Sequence, residues 1–437
     1  MNLVYNIKDK PKFGQTLLFA LQQLLAIMAA TIAVPAIVGN GMSATAALFG
    51  AGVGTLVYLL FTKFRSPVFL GSSFAFLGSM FAAFAGATSV QLGYLGLLFG
   101  ALFAGLVYVV IALVVKFVGV KWIDKLMPAV VIGPTVAIIG LSLAGNAVGD
   151  LMGGSVSASP YVCIICGLVT LAVTMLCSVF GKKMLKMIPF VIGILAGYLV
   201  AACFTVIGNA TGNAALVVID FSKFQNIEWI PNFAFLTAFK GFGELTPGYI
   251  ATVAVAYVPV AFVVFAEHIA DHKNLSTIIG TDLTKDPGLH RTLLGDGVGS
   301  IAGAIFAGCP NTTYGESIGC VAISGNASVI TILYTAILAI VISFVGPFAT
   351  FLSTIPGCVM GGVCIALYGF IAVSGLKMIQ KVDLNDNRNL FVVSVILIAG
   401  IGGLTVSFGA VTLTEVACAL ILGILTNLIL GGMKKKA

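Results

Sequence analysis

The chain has 437 residues, of which 59% are hydrophobic and 8% charged, with a formal net charge of +7. Soluble domains carry about 25% charged residues, so this composition excludes a water-soluble fold and leaves a chain embedded in a membrane, its backbone polar groups paired internally. Long apolar runs without two-residue alternation favour helices over a barrel.

In chain order, apolar runs near the spanning length of about 20 residues fall at 14–38, 44–62, 67–86, 92–116, 128–147, 160–180, 187–207, 248–270, 293–307, 311–325, 327–350, 356–376, 389–408 and 412–431. That makes about fourteen segments, of which 293–307 and 311–325 are too short to cross as single helices. The N-terminal stretch with Lys8, Lys10 and Lys12 leads into the first run without a small-residue cleavage pattern, so no cleavable signal peptide is expected. Further basic clusters are Lys63/Arg65, Lys116/Lys121/Lys125, Lys182/Lys183/Lys186, Lys273/Lys285/Arg291, Lys377/Lys381/Arg388 and Lys434/Lys435/Lys436. They fall in alternate loops and at the C-terminus. Only Lys223 and Lys240 lie elsewhere, in the long 208–247 connection. By the positive-inside rule both termini are expected to be cytoplasmic, the number of spans even, and the connection with Trp229 and Pro231 outside.

Fourteen spans around one large central loop suggest two halves of seven. An odd-numbered repeat must invert, because its second copy starts on the opposite side. The third span of each half carries a polar, small-residue stretch: GSSFAF (Gly71–Phe76) and NTTYGES (Asn311–Ser317). In inverted-repeat carriers, matched interruptions of this kind point to the substrate site.

Glu267 and Glu316 lie inside membrane-type stretches. An Asp at a helix centre costs about 2.5–3.5 kcal/mol on insertion scales. Both glutamates are therefore expected to face the bundle interior or a watery cavity, where such groups bind a substrate or a proton. Glu267 and Asp271 are four apart and share a helix face, while His268 and His272 form a second pair about 100° round. The alternative for Glu267 is a structural hydrogen bond between helices; for Asp271 it is a capping or interfacial place. The histidine spacing suits zinc, but the H-E-x-x-H order is absent and the remaining His290 is in a loop, so no metal is expected.

Ahead of Glu316, Pro310, two threonines and Gly315 give an extended entry into a short helix. The first N–H groups of such a helix lack intrahelical partners. A carboxylate beside backbone donors suits a ligand with adjacent N–H and C=O groups, which is the pattern of a nucleobase edge. Phe74 and Tyr314 could wall that ligand or simply pack. Asp296 and Glu415 read as residues near helix starts. The Cys163/Cys166 pair has no second ligand pair and reads as packing. Gly295, Gly299 and Gly303 place a smooth face on one helix for close approach. The chain has no G-x-G-x-x-G, no P-loop and no nucleophile or metal set. No cofactor, nucleic-acid partner or enzyme activity is expected.

Several strings together resemble the nucleobase–ascorbate transporter family, most closely its bacterial uracil permeases. They are LQQLLAIMAATIAVP, FLGSSFAF, AEHIADH, DPGLHR, PNTTYGESIG and MGGVCIALYG, spread over nearly the whole chain. NTTYGE is similar to the uracil-transporting branch; purine-transporting members have an amide in place of the glutamate. The resemblance implies an all-α membrane fold of fourteen spans in a 7+7 inverted repeat, with short extended strands in spans three and ten. It implies a core domain of 1–126 and 248–350 and a gate domain of 127–247 and 351–437. The family's base-binding positions carry over to Glu267, Glu316, Ser73, Phe74 and Gly315, with Ala30, Tyr314 and Tyr368 nearby.

The resemblance also implies proton symport of uracil through the cell (inner) membrane, in contact with lipid and often as a homodimer. Proton coupling then falls on Glu267, Asp271 and His272. Another base such as xanthine or thymine is the alternative; an anion exchanger or channel of similar architecture is disfavoured by two negative charges at the site. The chain departs from the family pattern twice. Many relatives have Gln-His where this chain has Gln22-Gln23, and the best-known uracil-permease pattern has His where this chain has Asp271, with His272 one residue later.

Overall fold

The computed structural model describes residues 3–119, 122, 128–153, 158–182, 185, 188–225, 227–408 and 411–432. Lys121, Lys125, Lys183, Lys186 and Lys434–Lys436, on which part of the charge-based orientation rests, lie outside these residues, as does the expected boundary at 126/127.

The first half begins with α1 (Phe13–Val38) and α2 (Ala44–Phe61), then β1 (Leu70–Ser72), a turn of 3₁₀ helix and α3 (Leu77–Ala85). It continues with α4 (Val90–Val118), α5 (Ala129–Ser142), α6 (Ala144–Leu151), α7 (Pro160–Phe180) and α8 (Pro189–Thr211). A connection with the short α9 (Ala234–Ala238) leads to α10 (Pro247–Ile279), α11 (Leu289–Ala307), β2 (Asn311–Thr313) and α12 (Gly315–Ser324). The chain ends with α13 (Val329–Ile342), α14 (Gly346–Thr354), α15 (Gly357–Ile379), α16 (Asn387–Ile401), a hairpin of β3 (Val406–Phe408) and β4 (Val411–Leu413), and α17 (Glu415–Gly432).

Among the described residues, eight helices are long and apolar enough to cross a membrane, or nine if α13 and α14, bent by 83°, make one span. Large apolar side chains stand exposed along the outer helix faces, including Phe117, Phe180, Leu199 and Ile398.

Several helix ends differ from the apolar runs, because hydropathy stops where helix geometry does not. The run 248–270 continues as helix to Ile279, where Gly280 takes the left-handed conformation (φ 68°) that caps it. The run 293–307 begins at Leu289, directly after Pro287 and Gly288. The run 389–408 stops as helix at Ile401, before Gly402 and Gly403, and then turns into β3. The expected boundary at 350/351 falls inside α14.

Small residues decide which helices touch. Gly50 and Gly54 of α2 lie against Gly303 and Gly299 of α11, so a Cβ on any of the four would run into the facing backbone. On another side of α11, Gly297 meets Gly105 and Tyr108 of α4. The main packing sorts into two groups: α2 and α4 on α11, with α13 on α2 and α1, and α5, α7 and α8 with α15 to α17. A continuous buried core runs through both.

Candidate functional site

The two polar interruptions meet. β1 and β2 pair antiparallel, with Leu70 opposite Thr313, Gly71 opposite Thr312 and Ser72 opposite Asn311. The Ser73 N–H donates to the Pro310 carbonyl at 2.9 Å and the Tyr314 N–H to the Phe69 carbonyl at 3.2 Å, extending the ladder at both ends. Pairing is forced here: unwound backbone inside an apolar bundle has no water to bond, so the two breaks satisfy each other. The Tyr314 ring lies over β1, where a Cβ at Gly71 would strike it, and its hydroxyl donates to the Ser72 carbonyl at 2.8 Å. From α1, the Gln23 amide Nε2 donates to the Ser317 hydroxyl and carbonyl, and Ser317 Oγ accepts the Phe69 N–H at 3.1 Å. Gln23 thereby ties the first turn of α12 to the entry of β1.

A cavity of about 360 Å³ opens beside this pair, within the range of about 300–1,000 Å³ usual for small-ligand sites. Of the residues expected at the site, Ser73, Phe74, Glu267, Asp271, Tyr314, Gly315 and Glu316 line it. Ala30, Tyr368 and His272 do not. Ala30 is buried in α1. The Tyr368 ring stands edge-on to Phe74, with centroids 5.9 Å apart and planes at 78°. It is a neighbour of the wall rather than part of it.

α10 supplies two carboxyl groups from one face. Asp271 accepts a 2.7 Å hydrogen bond from the Thr313 hydroxyl of β2. It lies within α10 rather than at its end, so the capping alternative is set aside. Glu267 and Glu316, the latter in the first turn of α12, are both half-buried and line the cavity. The cavity thus gathers the carboxyl groups of Glu267, Asp271 and Glu316, the first turn of α12 and the Phe74 and Tyr314 side chains. It can hold a planar ligand that presents N–H and C=O groups on adjacent edges.

The other face of α10 is closed. His268 Nδ1 lies 2.7 Å from Asp296 Oδ2, and its Nε2 lies 3.0 Å from the Thr292 hydroxyl. His272 Nδ1 reaches the His268 carbonyl at 2.8 Å, and its Nε2 reaches the Tyr58 hydroxyl at 2.7 Å. A carbonyl only accepts, so Nδ1 of His272 carries a proton, while the Tyr58 hydroxyl against Nε2 also reaches Ser66 Oγ at 2.7 Å. Every ring nitrogen of the pair is thus spent on protein groups, and the zinc-like spacing serves packing. Asp296 is the eighth residue of α11, 1% exposed; the helix-start reading is corrected, and the missed signal is that a buried carboxyl needs a partner one helix away. Glu415 is the first residue of α17, at a helix start as read.

The opposite wall escaped sequence reasoning. It comprises Val136 and Ile139 of α5, Phe190 of α8, and Leu367, Phe370, Ile371, Ser374 and Met378 of α15. Apolar residues within apolar runs carry no individual mark. Only Ser374, following Tyr368 along α15, breaks the pattern. Thr312 and Thr313, inside the NTTYGES stretch, also line the cavity.

Residues 14–408 match the family described as the permease family. The chain belongs to this family, the nucleobase–ascorbate transporters. It is a multi-pass membrane transporter rather than an enzyme. It is 41% identical to the uracil permease of Bacillus caldolyticus, over 99% of this chain and 96% of that one. With the uracil permease of Bacillus subtilis it shares 39% identity, over 98% of this chain and 96% of that one. Among solved structures, the transmembrane domain of the cyanobacterial bicarbonate transporter BicA superposes with a TM-score of 0.66 at 16% identity, covering 97% of this chain and 98% of that one. That likeness speaks to the fold.

Proposed function

We propose that the protein takes up uracil together with protons through the cell (inner) membrane by alternating access. One observation carries the reading: Glu267 and Glu316, the latter in the first turn of α12, line one cavity, in a chain similar to uracil permeases over nearly its full length. Glu267 and Glu316 accept from the base N–H groups. Backbone near Ser73, Phe74 and Gly315 meets its carbonyls, and Phe74 and Tyr314 flank its plane. Ala30 and Tyr368 stand behind these contacts. A proton shared between Glu267 and Asp271 couples the base to the gradient; His272, with both ring nitrogens engaged, stays outside this relay.

In this reading the fold is fourteen spans in a 7+7 inverted repeat, with the β1 and β2 interruptions in spans three and ten. Residues 1–126 and 248–350 form a core domain that moves against a gate domain of 127–247 and 351–437. Both termini are cytoplasmic, and the protein works in lipid, as a homodimer. The two packing groups of the fold support that division.

A symporter for xanthine or thymine is the second reading, favoured by a cavity volume that leaves room beyond a uracil ring. An anion exchanger like the fold's bicarbonate-transporting neighbour is disfavoured, since no Lys or Arg is among the described residues lining the cavity. Uptake of labelled uracil in cells lacking their own transporters decides among these, with unlabelled uracil, xanthine and chloride as competitors. Uracil is expected to compete best. Uptake is expected to rise as external pH falls and to collapse with a protonophore. Uptake indifferent to both would point to facilitated diffusion or another ion.

A further inference from the structure

Beside β2 lies a second, small cavity of about 10 Å³, between α4, α10, α11 and β2. Its polar wall consists of Tyr108, Asp296, Ser300 and Asn311; Phe76 and Val264 are among its apolar lining. We propose that this cavity binds one water molecule, which joins Asp296 to the first residue of β2.

Its size fits. A buried water needs about 10–15 Å³ of free volume and two to four polar partners. The partners also match in kind. The Tyr108 hydroxyl and Asn311 Oδ1 are buried and have no hydrogen-bond partner among the described residues. Asn311 Nδ2 donates to the Gly50 carbonyl at 3.1 Å, so Oδ1 is left as an acceptor. Ser300 Oγ accepts the Asn311 N–H at 2.9 Å and keeps its own proton to give. Asp296 commits Oδ2 to His268, which leaves Oδ1 as the second acceptor. The wall therefore offers two acceptors and two hydroxyl protons, the complement of a water's two donors and two acceptors. A small cation suits the same space less well. Both hydroxyl protons would have to turn away from it, and one Ser300 lone pair is already taken.

The water adds a further bridge between two systems that the Asn311–Ser300 and Thr313–Asp271 hydrogen bonds already bring together. On one side is the His268–Asp296 pair at the rear of α10. On the other is β2, whose Thr313 holds Asp271 and whose end carries Tyr314 to Glu316. Tyr108 and Ser300 become positioning residues for that strand, although neither lines the larger cavity.

The test uses the full chain and does not depend on which solute is carried. A structure at water-resolving resolution is determined in sodium chloride and again in choline chloride. The expected result is one density peak in both, at hydrogen-bond distance, about 2.7–3.1 Å, from the four named oxygens. No peak, or a peak in sodium alone, overturns the proposal. Thermal unfolding of Tyr108→Phe, Ser300→Ala and the double variant gives an independent check. No direct hydrogen bond joins the two side chains, so a shared water makes the double variant lose less than the sum of the singles. Additive shifts overturn the proposal as well.

Discussion

The two faces of α10 carry neighbouring polar residues and treat them in opposite ways. On the cavity face, Glu267 and Asp271 are half-buried, and Asp271 accepts one hydrogen bond, from the Thr313 hydroxyl. On the rear face, His268 and His272 are fully buried and every ring nitrogen is engaged. A buried polar group that is fully bonded holds helices in place; one left open to a cavity is available to a ligand. The contrast separates a structural layer from a working surface one residue apart.

The largest expected effect comes from opening the rear face. His268→Leu leaves the Asp296 carboxyl buried without its partner, which costs about 1–3 kcal/mol and more where the group is charged. A large fall in melting temperature is expected, with uracil affinity little changed in protein that stays folded. A variant that melts normally would mean that the rear layer is not structural.

The cavity face should respond in the reverse sense. Glu267→Gln and Glu316→Gln keep shape but lose charge-assisted bonds, which are about twice as strong as neutral ones. Leaving base N–H groups unpaired costs about 1–3 kcal/mol, or roughly 5- to 150-fold in Kd. Calorimetry of uracil binding is expected to show that loss with the melting temperature held. Normal affinity in both variants would remove these residues from the site.

A weaker effect is expected from Tyr368, which touches Phe74 without lining the cavity. A contact that differs between transport states shifts their populations by its differential energy. Tyr368→Ala is therefore expected to lower uptake in liposomes more than it lowers equilibrium binding. Equal losses in both would make it an ordinary binding residue.

The two faces also show what a sequence can carry. Charges and polar breaks in apolar runs are conspicuous, so Glu267, Glu316 and the stretches at Gly71–Phe76 and Asn311–Ser317 are legible in the chain itself. The glycine face at 295, 299 and 303 is legible for the same reason, and it packs with Gly299 and Gly303 against Gly54 and Gly50. Partner choice is not legible. Nothing in the one-dimensional pattern joins His268 to Asp296, His272 to Tyr58 or Gln23 to Ser317, because each bond crosses between separate helices. The apolar wall from α5, α8 and α15 is silent too, since a membrane protein uses the same residues toward lipid, core and ligand. Helix ends are misjudged where a helix leaves the apolar region yet continues, as α10 does past residue 270 to Ile279.

The smallest effect concerns a carboxylate in a third environment, outside the spans, and it sharpens the contrast. Glu244, before α10, accepts from the Thr88 hydroxyl at 2.6 Å and from the Ser89 hydroxyl at 2.8 Å. Ser89 also caps α4 by accepting the Leu92 N–H at 3.1 Å. The two hydroxyl donors hold the Glu244 carboxyl below its ordinary range. A lowered folded-state value stabilises the fold above the unfolded carboxylate range, about 4.3 for Glu, and that contribution fades as pH falls through the lowered value. Solvent screens this exposed site, so only a small destabilisation of Glu244→Gln is expected at neutral pH. The gap between variant and parent melting curves should narrow as pH falls below the ordinary glutamate range. A gap that stays constant across that window would show that the hydroxyl contacts act through shape rather than charge, and that a partnered carboxylate at the loop differs from the cavity pair in exposure alone.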